Sequence, residues 1–172
     1  MPDLRSVPDE TKWRIATEYS SRMAEISERI LRPFLKDRYD ELEQEIEIEM
    51  AQFSYELARS LKLPVETARE LAESLSLVRS IVFGPDSREE VIEVGKNGAV
   101  IIIRHCPFLR GGSSSGDGIF RRCMAFTLAS QKQMNTEHSS RFVRAMCMGD
   151  RQCEIKIEPE KKSRPAESAK PE

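Results

Sequence analysis

Hydrophobic and polar positions alternate with two different periods along the chain, and the change falls near Gly84. From Asp9 to Leu61 the apolar residues recur every three or four positions, the spacing of an amphipathic helix. Pro33 interrupts this stretch, and the residue before a proline avoids the helical region. One helix is therefore expected to about Leu31 and a second from about Pro33. The second carries the stripe Tyr39, Leu42, Ile46, Met50, Phe53 and Leu57, which reads as its buried face. The run Asp37, Asp40, Glu41, Glu43, Glu45, Glu47 and Glu49 reads as its solvated face. Pro64 suits a first helical position, and Val65, Ala68, Leu71, Leu75 and Val78 predict a third helix ending before Gly84-Pro85.

After Gly84 the period shortens. Val91 to Val94 and Ala99 to Ile103 flank Asn97-Gly98, a strong hairpin signal. A two-residue turn there pairs Val94 with Ile101 and Ile92 with Ile103. Pro107 ends the second strand. GGSSSGDG, residues 111–118, reads as a linker or mobile lid, because it lacks the Gly-Lys-Ser/Thr ending of a phosphate-binding loop. Helix returns from Ile119 to about Ser130, with Ile119, Cys123 and Phe126 on one face. A second hairpin follows, Arg141 to Cys147 and Cys153 to Ile157, in which Val143, Ala145, Cys147, Ile155 and Ile157 alternate with charged residues. The tail after Pro159 has no apolar pattern and is expected to be disordered. The pattern predicts an α+β fold: N-terminal helices packed on a small antiparallel sheet built from two hairpins with an intervening helix.

The length of 172 residues corresponds to about one domain. The longest apolar run, Ala99 to Ile103, is of strand length, which argues against a membrane-spanning helix. Met1 to Thr17 shows no apolar leader, so a cytoplasmic location is expected. In that reducing compartment, four cysteines suggest metal binding, redox chemistry or plain burial rather than a disulfide framework. Charge is unevenly spread. Residues 99–157 hold nine basic and four acidic side chains and also every cysteine, and the acidic excess lies in the first 98 residues. Leu57 to Leu61 followed by Pro64 to Leu75 looks like a helix–turn–helix, but Glu66, Glu70 and Glu73 would repel phosphates, so nucleic-acid binding is not expected there.

The cysteine spacing, Cys106-x16-Cys123-x23-Cys147-x5-Cys153, matches no compact metal signature. The predicted structure makes more of it. A three-residue turn, Gly149 to Arg151, pairs Cys147 directly with Cys153 on the buried face, where two thiolates could share a metal. Cys106 ends a strand, and Cys123 lies on the inward face of the next helix. All four sulfurs could therefore converge. The plainer alternative is four separate core cysteines. His105 points to the other strand face and His138 sits in a loop, so neither is counted as a ligand. No nucleophile–base motif or dinucleotide fingerprint occurs.

His105-Cys106-Pro107-Phe108, Cys123, and Cys147-Met148-Gly149-Asp150-Arg151-Gln152-Cys153-Glu154-Ile155-Lys156-Ile157 together resemble the 4-vinyl reductase superfamily. They also resemble its relatives of the L-2-amino-thiazoline-4-carboxylic acid hydrolase-like type. The resemblance spans residues 50–158. It leaves 1–49 as a helical extension and 159–172 as a tail. It implies a cysteine-ligated site at Cys106, Cys123, Cys147 and Cys153, holding an iron–sulfur cluster or zinc, in a redox or ligand sensor or accessory protein. The alternatives are a thiazoline-type hydrolase and a metal-free small-molecule-binding domain. The long apolar stripe from Tyr39 to Leu57, set against one small sheet, predicts packing on a partner protein, most simply a two-fold homodimer.

Overall fold

The computed structural model describes residues 6–110 and 116–160. Helices α1 (Asp9–Leu35), α2 (Asp37–Ser60) and α3 (Ala68–Phe83) lead into strands β1 (Arg88–Val94) and β2 (Gly98–His105). A 3-10 turn over Pro107–Arg110, helix α4 (Gly116–Met134) and strands β3 (His138–Arg144) and β4 (Cys153–Pro159) complete the order. The four strands form one antiparallel sheet in the order β1-β2-β4-β3. The α+β expectation is met. No described helix is long and apolar enough to cross a membrane.

The core lies between the sheet and the helices α3 and α4. Leu71, Leu75 and Val78 of α3 press on Ala99, Ile101, Ile103, Ile155 and Ile157, all buried. Each fully buried Leu, Ile or Val contributes roughly 1.5–3 kcal/mol, so this layer dominates the hydrophobic stabilisation. Helix α3 starts later than Pro64 suggested. Thr67 caps it through a reciprocal box, its hydroxyl accepting from the Glu70 N–H and the Glu70 carboxylate accepting from the Thr67 N–H. The opposite sheet face is open and mixed, with ion pairs such as Arg104–Glu90 at 3.0 Å and Arg144–Glu154 at 2.8 Å beside exposed Ile92 and Val94.

Four local expectations are corrected. The break between the first two helices comes at Lys36, at φ 50°, and Pro33 lies inside the last turn of α1. Arg32 holds that turn helical: it pairs with Glu28 and Asp40 at 2.9 Å each and lies over the Tyr39 ring. The first hairpin turns through Gly95-Lys96-Asn97, pairing Val94 with Gly98, Ile92 with Val100 and Val91 with Ile101. Gly95, at φ 67°, takes the left-handed position. The shift is an odd number of residues, so it reverses the faces: Val91 packs inward, whereas Ile92 and Val94 are exposed.

In the second hairpin β3 ends at Arg144. Val143 bulges outward and Phe142 faces the core opposite Ile155. The Asp150 carboxylate accepts from the Ala145 N–H at 2.8 Å and the chain coils through Met146–Met148. Cys147 is therefore not the cross-strand partner of Cys153, which sits opposite Ile103 of β2.

The fourth correction concerns α2. Its inward line is Tyr39, Glu43, Ala51, Ser54 and Ala58, whereas Ile46, Met50 and Phe53 are exposed. Small residues let α2 lie close to α4, and Arg122 of α4 draws the carboxylates of Glu43 and Glu47 inward. Charge pairing, rather than the apolar stripe, selects the face. Residues 50–158 and 1–49 are joined through the unbroken α2, and the tail from 161 onward lies outside the described residues, as do 111–115 of the glycine-serine loop.

Candidate functional site

Helix α1 crosses the molecule without burying one of its residues. Two contacts at its N-terminal half hold it to α3. The Trp13 indole N–H donates to the Ile81 carbonyl at 2.9 Å, and Thr17 lies against Gly84. Gly84 combines φ +100° with a position where a Cβ would meet the Thr17 hydroxyl at 2.5 Å. Gly84→Ala is therefore expected to cost about 1–3 kcal/mol and to lift α1. Trp13, the one tryptophan in the chain, would report that lift as a red shift in emission.

Beneath α1 runs a cleft. Its outer part, about 470 Å³, lies between Thr17, Ser21 and Ile26 on one side and Gly84 and Pro107 on the other. It continues through Ser21, Glu25 and Phe83 into an inner slot of about 20 Å³, room for one water molecule. The slot is floored by aromatic rings: Phe83 meets Phe108 edge-on at 4.8 Å between centroids and Phe126 at 5.2 Å. Ile119 and Cys123 of α4 complete the apolar side.

Glu47 and Arg122 form the polar wall of the slot. Arg122 lies 3.3 Å from both Glu43 and Glu47, and the Tyr39 hydroxyl donates to Glu43 at 3.2 Å. Burial pushes both carboxyls above their usual value; Arg122 pulls the other way and does not cancel it. Burial, with Glu43 adding to it, raises the Tyr39 phenol to about 12.

Behind the rings, Arg79 of α3 is a buried cation. It pairs with Glu89 of β1 at 3.1 Å, donates to the Thr127 hydroxyl at 2.5 Å and lies 3.8 Å from the Cys123 sulfur. Its guanidinium also stacks on Phe83 at 5.1 Å. Burial penalises the charge, but Glu89 and Cys123 outweigh that and hold Arg79 above its usual value.

Of the four predicted site cysteines, Cys123 lines the slot, Cys153 is buried opposite Ile103, Cys147 lies half-buried in the turn over Met146–Met148 and Cys106 lies half-buried just after β2. Burial comes first in raising Cys106 to about 11 and Cys147 to about 12, and the other thiols add to it; burial also raises Cys153. The Cys153 sulfur accepts from the Met146 N–H at 3.2 Å. The thiols therefore sense one another. Even so, among the described residues no three His, Cys, Asp or Glu side chains are grouped so that they could hold a metal ion. His105, at the exposed end of β2, and His138, opening β3, join no such group.

Folded thiols with raised pKa values bind protons more tightly than unfolded ones. The stability they contribute is complete below the ordinary thiol value of 9.0 and is lost as pH rises through about 11 to 12. Urea unfolding of wild type and Cys147→Ser across alkaline pH is expected to show a smaller loss in the variant.

No family model matches the sequence, and no curated protein matches it. Solved structures do match. Trafficking protein particle complex subunit 3 from Naegleria fowleri, covalently bound to palmitic acid, aligns at TM-score 0.60 and 14% identity, covering 88% of this chain and 99% of that one. The phenol-responsive sensory domain of the transcription activator PoxR, with phenol, aligns at TM-score 0.54 and 12% identity, covering 81% and 74%.

The chain shares their fold. At these identities the likeness extends to architecture alone. None of these comparisons supports the 4-vinyl reductase resemblance, and no family assignment follows from them. Sequence reasoning placed Ile119, Cys123 and Phe126 on one inward face, and the cleft uses all three. It missed Glu47 and Arg122, whose only signal was an acid in α2 that a later arginine could pair with. It also missed Arg79, Phe83 and Phe108, which look in sequence like ordinary members of a helix end and a turn.

Proposed function

We propose that the chain is a small-molecule-binding domain of sensory type, taking beneath α1 a ligand with an apolar body and one polar head. The observation that carries this is the aromatic floor of Phe83, Phe108 and Phe126 against the Glu47–Arg122 wall, under a helix with no fully buried residue. Rings and Ile119 would take the apolar body. The Glu47 carboxylate could accept a hydrogen bond from a ligand hydroxyl, and Arg122 could donate one. The inner slot is narrow, so entry requires α1 to move outward, which its few contacts allow. The two structural neighbours, one carrying phenol and one carrying palmitic acid, support an apolar ligand class. Movement of α1 would be the signal passed to a partner bound to the N-terminal helices.

Calorimetric titration of the full chain with phenol and, separately, with palmitic acid tests this. Saturable binding by one of them, abolished in Ile119→Trp and kept in Ile92→Trp on the exposed sheet face, is the expected result. No saturable heat from either, or equal binding by both variants, would contradict it.

A second reading is favoured by the mutual influence of the four thiols. Drawn together by local movement, Cys106, Cys123, Cys147 and Cys153 would suit zinc or an iron–sulfur cluster, which prefer thiolate donors. Metal analysis and the visible spectrum after anaerobic purification decide it. Stoichiometric iron or zinc, lost on Cys153→Ser and kept on Met148→Leu, would support the reading; metal-free protein with four independently reactive thiols would end it. A thiazoline hydrolase acting through Cys106, Cys147 or Cys153 has less support, because burial holds these three as thiols at neutral pH, whereas a nucleophile needs a thiolate.

A further inference from the structure

Eleven of the eighteen large apolar side chains exposed among the described residues lie on α1 and α2. On α1 they form one ridge, Tyr19, Met23, Ile26, Ile30 and Phe34, which meets the outer cleft only at its edge, through Ile26. Steps of four, three, four and four keep such residues on one side of a helix. The ridge is edged by the exposed cations Arg22, which pairs with Glu18 one turn back at 2.6 Å, and Arg29. On α2 the ridge is Ile46, Met50 and Phe53, edged by the exposed anions Glu45, Glu49 and Glu56. Neither ridge is covered by the described chain. Exposed apolar surface this continuous marks an interaction site.

We propose that these two ridges are one interface with a second copy of the chain, α1 of each copy lying along α2 of the other. Three observations choose this occupant. The ridges carry opposite charge, so α1 against α2 brings Arg22 and Arg29 to Glu45 and Glu49. Like pairing, α1 on α1 or α2 on α2, sets arginines or glutamates against one another. An anionic membrane would attract the α1 edge but be repelled by the α2 edge. Because both ridges lie on one chain, a two-fold axis gives each copy the same pair of contacts, and the assembly closes at two subunits. The result is a four-helix arrangement with two buried seams. It would also hold α1 from its outer side. The assembly stands or falls independently of what the cleft binds.

Sedimentation velocity of the full chain at micromolar concentration, at low and high salt, is the test. Wild type is expected to sediment as a dimer. Arg22→Glu with Arg29→Glu, or Glu45→Lys with Glu49→Lys, should weaken it at least about tenfold, because each change reverses pairs in both seams. The two variants mixed together should recover the dimer, since in the mixed pair each seam again has opposite charges. Circular dichroism confirms that each variant keeps its helices. A wild-type monomer would overturn the proposal, and so would larger open assemblies. If each variant dimerises as well as wild type, the charges do not set the pairing and the α1–α2 match is wrong. A chain that stays monomeric but binds vesicles of anionic phospholipid through the same arginines would assign the α1 ridge to a membrane instead.

Discussion

Arg79→Ala is expected to lower the unfolding free energy by about 3–5 kcal/mol, because removing one partner of a buried pair strands the other. Glu89 is as buried as Arg79, and its carboxylate would lose its cation. Thr127 and Cys123 would lose a donor in the same step. The network also ties three elements together, α3, β1 and α4, so its loss loosens the wall behind the Phe83 ring. Urea unfolding followed by circular dichroism measures the change. Replacing both partners, Arg79→Met with Glu89→Leu, should return most of the lost stability, because two apolar side chains bury no unpaired charge. A double variant no better than Arg79→Ala would show that the hydrogen bond to Thr127, rather than the ion pair, holds this junction.

Phe126→Ala should cost a similar amount, about 3–5 kcal/mol, the usual penalty for emptying a buried phenylalanine site. Phe126 is 2% exposed and packs on Phe83 from the floor of the cleft. The variant differs from an ordinary core deletion in one respect. The space it creates opens into a cleft already lined by rings, where a small aromatic molecule fits in place of the lost side chain. Phenol at a hundredfold excess over its dissociation constant would then return roughly 2.7 kcal/mol. Unfolding of the variant with and without phenol shows whether the deletion and the ligand share a site. Leu75→Ala, in the closed core between α3 and the sheet, should lose comparable stability and gain nothing from phenol.

Periodicity carried the fold, and two physical effects that periodicity does not describe decided the rest. The sheet, the covering helices and the inward face of α4 at Ile119, Cys123 and Phe126 follow from local pattern. The turn at Gly95 displaced the expected Asn97-Gly98 turn because β2 takes its register from β4 as well as from the hairpin: Ile101 faces Ile155 and Ile103 faces Cys153. A long-range pairing of that kind leaves no mark in the turn itself.

In α2 the middle of the longest apolar stripe, Ile46, Met50 and Phe53, proved to be an outer surface, and Glu43 and Glu47 faced inward. A carboxylate is buried where a cation waits for it, and Arg122 lies far along the chain from Glu43 and Glu47. The cysteine pairing at Cys147 and Cys153 failed for a local reason. Asp150 bonds back to Ala145 and coils the chain before Cys147 can continue the strand. The cleft was the least legible part, because its floor comes from a helix end, a 3-10 turn and α4, three segments with no shared pattern.

Occupation of the cleft beneath α1 can be read at single residues. Its most direct measurement is a methyl NMR titration of the isoleucine-labelled full chain with phenol. A saturable shift of the Ile119 methyl is expected, with nuclear Overhauser effects between that methyl and the phenol ring protons and with Ile92 and Ile155 unmoved. Saturation with no effect at Ile119, or Overhauser contacts only at isoleucines of the exposed α1 and α2 ridges, would contradict it.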